Sequence, residues 1–87
     1  MRVTYERNGV SRITYRDDTE PTHYEVALVH RCQRVGLLYH GTSQRDARTA
    51  FDTARRPDAL RKKRHVTAMF HAWGVGGTEL YRLDREV

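Results

Sequence analysis

The strongest chemical signal in this sequence is positive charge. Six bases, Arg55, Arg56, Arg61, Lys62, Lys63 and Arg64, fall within ten residues against one acid, Asp58. The ten bases elsewhere are matched by ten acids, so the whole formal excess of +5 sits in 55–64. Such a cluster attracts phosphate, and binding that neutralises about five phosphates weakens steeply with salt. Arg45 and Arg48, on the helix that leads into this stretch, extend the patch. The alternative is a solvated helix end, where cations also suit the negative pole of the dipole. No zinc-finger spacing, RNA-recognition signature or KH loop accompanies the charge.

A second group is apolar. Met69, His71, Trp73 and Leu80 fall on one side of a strand pair whose other side carries Val66, Ala68, Phe70, Ala72, Tyr81 and Leu83. Trp and Met are favoured at protein interfaces, so this side, with Val29 and Leu38 of an earlier strand pair, is a candidate docking surface. A one-residue slip in register would instead turn it into the core.

The remaining reactive side chains do not assemble into a site. No two of the five histidines have the i,i+4 spacing of a helical metal pair, and surface histidines are the simpler reading. Cys32 is the only cysteine, which excludes an internal disulfide and a cysteine-based zinc site, and the sequence sets no base beside it. Gly74-Val-Gly-Gly77 follows a strand but precedes another strand, and it lacks the lysine of a P-loop. No carboxylate pair can be placed across a cleft. The expectation is a protein without catalytic activity, metal or small-molecule cofactor.

The elements that position these groups follow from periodicity. Val3-Thr-Tyr5 and Ile13-Thr-Tyr15 alternate about Asn8-Gly9, a hairpin signal. A three-residue bulged loop pairing Val3 with Tyr15 and Tyr5 with Ile13 makes one face wholly apolar and is preferred over a two-residue loop pairing Tyr5 with Arg12. Tyr24–His30 and Val35–Tyr39 form a second hairpin about Cys32-Gln33, with Val26 opposite Tyr39, Leu28 opposite Leu37 and His30 opposite Val35. Ser43 caps a helix, supported by Asp46, and Ala47, Ala50, Phe51 and Ala54 make its apolar face. Pro57 stops it. Val66–Trp73 and Thr78–Asp84 form the third hairpin, with Phe70 opposite Tyr81 and Ala68 opposite Leu83. The order ββ-ββ-α-ββ in one domain, 1–87, predicts an α+β two-layer sandwich: an antiparallel sheet of hairpins packed on one main helix.

At 87 residues the core is thin, and a single helix covers one face of the sheet. Apolar residues on the uncovered face therefore imply a partner, most simply a second copy of the chain. No apolar run reaches the length of a membrane span, and the first residues lack the apolar stretch of a signal peptide. With one thiol and no staple, a cytoplasmic location is expected.

Tyr24-x-Val26 and Tyr39-x-Gly41-x-Ser43-x-x-Asp46-Ala47-x-x-Ala50-Phe51-x-x-Ala54 resemble small accessory proteins encoded by phages of GC-rich actinobacteria. The resemblance covers about a third of the chain. It implies a strand–strand–helix unit and a role in host takeover or evasion of defence, within the host cytoplasm, and it assigns no functional residue. The leading expectation is thus a non-catalytic binding protein, a homodimer or a host-interaction factor, acting through a protein surface. The second is a small basic nucleic-acid-binding protein using Arg55–Arg64.

Overall fold

In a computed structural model, which describes residues 2–7 and 9–87 (side chains from residue 9 onward), three hairpins merge into one sheet. The strands are β1 (Arg2–Arg7), β2 (Val10–Thr14), β3 (His23–His30), β4 (Gln33–Gly41), β5 (Thr67–Trp73) and β6 (Glu79–Glu86). Helix α1 (Gln44–Asp52) lies between β4 and β5 in the chain. Among the described residues the sheet has six strands in the order β1-β2-β6-β5-β3-β4, all neighbours antiparallel. This is the α+β two-layer arrangement that the sequence predicts.

The core forms where α1 meets β3, β4 and β5. Tyr24, Val26 and Leu28 of β3, Ala68, Phe70 and Ala72 of β5, Val66 and Leu83 pack against Ala47 and Phe51 of the helix. The small Ala47 side chain lets the helix approach the sheet, and Phe51 meets Phe70 edge-on at 6.0 Å. Burying Phe51 completely makes it the helix's main attachment, so truncating it should cost about 3–5 kcal/mol.

The start of the helix is fixed twice. The Ser43 hydroxyl accepts from the Asp46 amide at 3.1 Å, as an N-cap should. The Ser43 amide in turn donates to the Tyr39 hydroxyl at 3.0 Å, tying the helix to β4. Gly41 is needed here, because a Cβ at that position would lie 2.5 Å from the Tyr39 oxygen.

The register of each hairpin differs from the simplest expectation. In the first, Arg7 faces Val10 and Tyr5 faces Arg12, and the irregularity lies further along, between Val3 and Tyr5. The expected pairs Val3–Tyr15 and Tyr5–Ile13 do not form. The observed register places a charge among apolar groups, which side-chain alternation disfavours. Arg12 tolerates that place by laying its guanidinium 4.0 Å from the centre of the Tyr81 ring. In the second hairpin the turn residues are Arg31 and Cys32, both left-handed, at φ 52° and 63°. Val26 faces Tyr39 as expected, but Leu28 faces Gly36 and His30 faces Gln33. Two irregularities set Val35 and Leu38 outside the ladder and move Leu37 to the face away from the helix, opposite Ala27. In the third, Phe70 faces Leu83 and Ala68 faces Arg85. That is a shift of two residues from the expectation, which keeps every β5 side chain on its expected face. Glu79 faces Trp73, and Leu80 is the extra residue, buried against Gly74.

Six strands about 4.8 Å apart span on the order of 25 Å, whereas a helix with its side chains covers about 10–12 Å. The helix therefore leaves the β6–β2 side of its own sheet face open, as well as the whole opposite face. No helix among the described residues is long and apolar enough to cross a membrane.

Candidate anion-binding cleft

The basic segment is shaped by the chain's return from helix to sheet. Helix α1 ends at the cap residue Thr53, and Pro57, with φ −64°, leads into a single 3-10 turn at Asp58–Leu60. Leu60 packs against the core and anchors that turn, and Val66, fully buried, restarts the sheet. Between these anchors Arg56 acts as a clamp. Its guanidinium donates to the main-chain oxygens of Arg61 at 3.3 Å, Lys63 at 2.6 Å and Val87 at 2.8 Å. Arg56 is thus committed to holding the loop, which turns Lys62, Lys63 and Arg64 toward the tip of the β3–β4 hairpin.

There they meet Arg31. Among the described residues His30, Arg31, Lys62, Lys63, Arg64 and His65 line a cleft of about 630 Å³ and none of them is a carboxylate. None of the ion pairs among the described residues involves Arg31, Lys62, Lys63 or Arg64. Glu86 lies near the rim, its carboxylate 4.0 Å from the His65 ring. Four permanent cations within about a Debye length of one another, unneutralised by partners, produce a local positive potential that an anion can satisfy. The Nδ1 of His30 is buried there without a hydrogen-bond partner.

Backbone conformation also singles out this place. Among the described residues three without a glycine's freedom adopt positive φ: Arg31, Cys32 and His65. Two of the three line the cleft. A two-residue turn of this hand favours Asn-Gly, and each bulky side chain in it costs about 1 kcal/mol or more. The turn thus keeps a guanidinium at a position where stability alone would favour a smaller residue.

The other basic residues lie elsewhere. Arg55 and Arg61 are exposed and line no cleft with the rest. Arg45 and Arg48 face a different groove on the helix side of the sheet, and Arg48 pairs with Asp52 at 3.1 Å. The ten-residue cluster read from the sequence therefore divides into a clamp, Arg56, a cationic wall, Lys62–Arg64, and bystanders. Sequence reasoning missed Arg31, His30 and His65, because only the fold brings the β3–β4 turn to the loop.

The face away from the helix carries Met69, His71, Trp73 and Val29, each half-buried. Trp73 stacks on His71 at 5.6 Å and on His23 at 6.3 Å. His71 pairs with Glu79, Arg34 with Glu25, and Arg82 with Asp84 at 3.0 Å. This face is a mosaic whose groups cover one another, and it is more polar than the alternation of apolar residues implied. Leu80 does not belong to it: at 2% exposure it is buried beneath Gly74 and unavailable to a partner. The exposed large apolar residues lie instead on the edge strand β4, at Val35, Leu37 and Leu38, and at Val75 in the turn between β5 and β6.

Among the described residues no cluster of three or more His, Cys, Asp or Glu side chains could hold a metal ion. No protein-family model, curated protein or solved structure matches the chain.

Proposed function

We propose that the protein is a non-catalytic binding protein that holds the phosphate backbone of a nucleic acid in the cleft between the β3–β4 turn and the loop 62–65. One observation carries this reading: two segments distant in sequence supply four unpaired cations to a cleft without a carboxylate in its walls. Cations in that setting recognise phosphate irrespective of base sequence. The role goes with a cytoplasmic location.

The test is a fluorescence-anisotropy titration of labelled duplex and single-stranded oligonucleotides at low and at moderate salt. Binding at low salt that weakens sharply at moderate salt, and that is lost in Lys62→Glu/Lys63→Glu, supports the reading. No binding at low salt, or equal binding by the charge-reversed protein, refutes it.

A second reading rests on the edge strand. β4 has no neighbour on its outer side in the sheet order, and it exposes Val35, Leu37 and Leu38. An unpaired apolar edge is a template for another chain, a second copy or a host protein in the manner of a phage accessory factor. It ranks second because the adjoining face is largely polar, crossed by ion pairs between charged residues and by the stack of Trp73 with His71 and His23. Light scattering at high micromolar concentration checks the homodimer, and a strict monomer there removes it.

A further inference from the structure

The helix side of the sheet holds a second opening, distinct in composition from the cationic cleft. Where α1 stops short of β6 and β2, a groove of about 460 Å³ runs between helix and sheet. Its walls include Phe70, Tyr81 and Leu83 from the sheet, Arg12 from β2, and Arg45 and Arg48 from the helix. Among the described residues no carboxylate lines it.

The aromatic groups form a continuous stack. Phe70 and Tyr81 are nearly parallel, at 15° with 6.0 Å between centroids, and the Arg12 guanidinium lies 4.0 Å from the Tyr81 centroid. Arg12 is held at its Nε edge, which donates to the Thr14 hydroxyl at 3.2 Å, and a guanidinium fixed in this way can stack on a planar ring through its flat face. Arg48 is steadied by Asp52, which accepts from its Nε at 3.1 Å, and Arg45 is nearly fully exposed at the same helix face. Asp46 and Asp52 moderate these two charges but are not groove walls. The volume lies within the range of small-molecule sites, about 300–1,000 Å³.

We propose that this groove binds a planar aromatic anion, a flat ring bearing a phosphate or a carboxylate. The ring lies against Arg12 and the half-buried Tyr81, above the buried Phe70 and Leu83, and the anionic group meets Arg45 and Arg48. Guanidinium forks donate to either anion in two-point contact. The site shares no residue with the cleft, so it stands whether or not nucleic acid binds there.

The experiment is amide chemical-shift mapping of the ¹⁵N-labelled protein with four probes: adenosine 5′-monophosphate, 4-hydroxyphenylacetate, adenosine, and inorganic phosphate. The proposal expects saturable shifts at residues 12, 45–49 and 81–83 with at least one of the first two. Those two identify the anion as phosphate or carboxylate. Adenosine and phosphate alone should bind about tenfold more weakly or worse, and Arg45→Gln/Arg48→Gln should weaken the preferred probe by a similar factor. Because both arginines are exposed, the unchanged remainder of the spectrum reports that the variant folds. No shift at the groove, equal binding of adenosine and its monophosphate, equal binding of phosphate alone, or shifts confined to 30–31 and 62–65 would each overturn it.

Discussion

Replacing Arg85 tests whether a strand residue finishes the helix. Helix α1 has no basic residue in its last turn and no glycine cap; local amides reach the Thr49 carbonyl at 3.0 Å and the Phe51 carbonyl only at 3.4 Å, which leaves its end open to a further donor. Arg85 of β6 supplies one, donating from Nη2 to the carbonyl of Phe51 at 2.6 Å and of Ala54 at 3.0 Å, with a longer approach to Asp52 at 3.4 Å. Hydrogen bonds from a charged donor contribute about 1.5–3 kcal/mol, and a cation at a helix C-terminus adds about 0.3–1 kcal/mol. Against this, the Nε of Arg85 is buried without a partner, a cost that an apolar replacement removes. Arg85→Met, which keeps a stem beside Phe51, should therefore lose about 2 kcal/mol, a large share of the roughly 5–15 kcal/mol that stabilises a domain. The expected fall in Tm is about 8–16 °C. Urea unfolding followed by circular dichroism measures it, and Arg85→Lys should recover only part, because it restores the charge without the fork. A Met variant within about 0.5 kcal/mol of the parent would show that the helix end needs no such partner.

Three further outcomes are expected. Gly41→Ala forces the Tyr39 hydroxyl away from Ser43 and should cost about 1–3 kcal/mol by the same urea assay, whereas Gly36→Ala, whose Cβ would meet Leu28 at an ordinary 3.8 Å, should cost less. Replacing the turn pair Arg31-Cys32 by Asn-Gly should stabilise the protein by about 1–2 kcal/mol, read as a higher urea midpoint with an unchanged slope. Burial, reinforced by Tyr81 and Glu20, raises the pKa of Tyr24. A raised pKa means the folded state retains its proton longer, so this contribution is complete below the unfolded value near 10 and is lost as pH climbs through the folded value. Tyr24→Phe should therefore lose less stability between pH 9 and pH 11 than the parent does, and identical losses would contradict the assignment.

What the sequence revealed, and what it hid, follows from locality. Ser43, Asp46 and the alanine face with Phe51 are local signals, and the helix begins where they place it. The β5 face survives a wrong register because a shift of two residues preserves the alternation. The register of the first hairpin escapes a polarity rule for sidedness, because Arg12 sits on the apolar side by stacking on Tyr81. Leu37 and Leu80 were misplaced because bulges break the period of two that the reading depended on. The positive charge was visible at once, but its division of labour was not. Arg56 became a clamp and Arg31 joined the cleft through contacts between residues 5 to about 30 positions apart, which no local pattern encodes.

The most direct measurement is the salt slope of oligonucleotide binding in the parent and in Arg31→Asn, a variant whose turn conformation suits Asn better than Arg. With Arg31, Lys62, Lys63 and Arg64 each meeting a phosphate, log K should fall against log salt with a slope of about −3 to −4. Arg31→Asn should be at least as stable as the parent, bind more weakly, and lose about 0.7–0.9 of that slope. A parent slope near zero, or a slope that Arg31→Asn leaves unchanged, would contradict the assignment of the cleft.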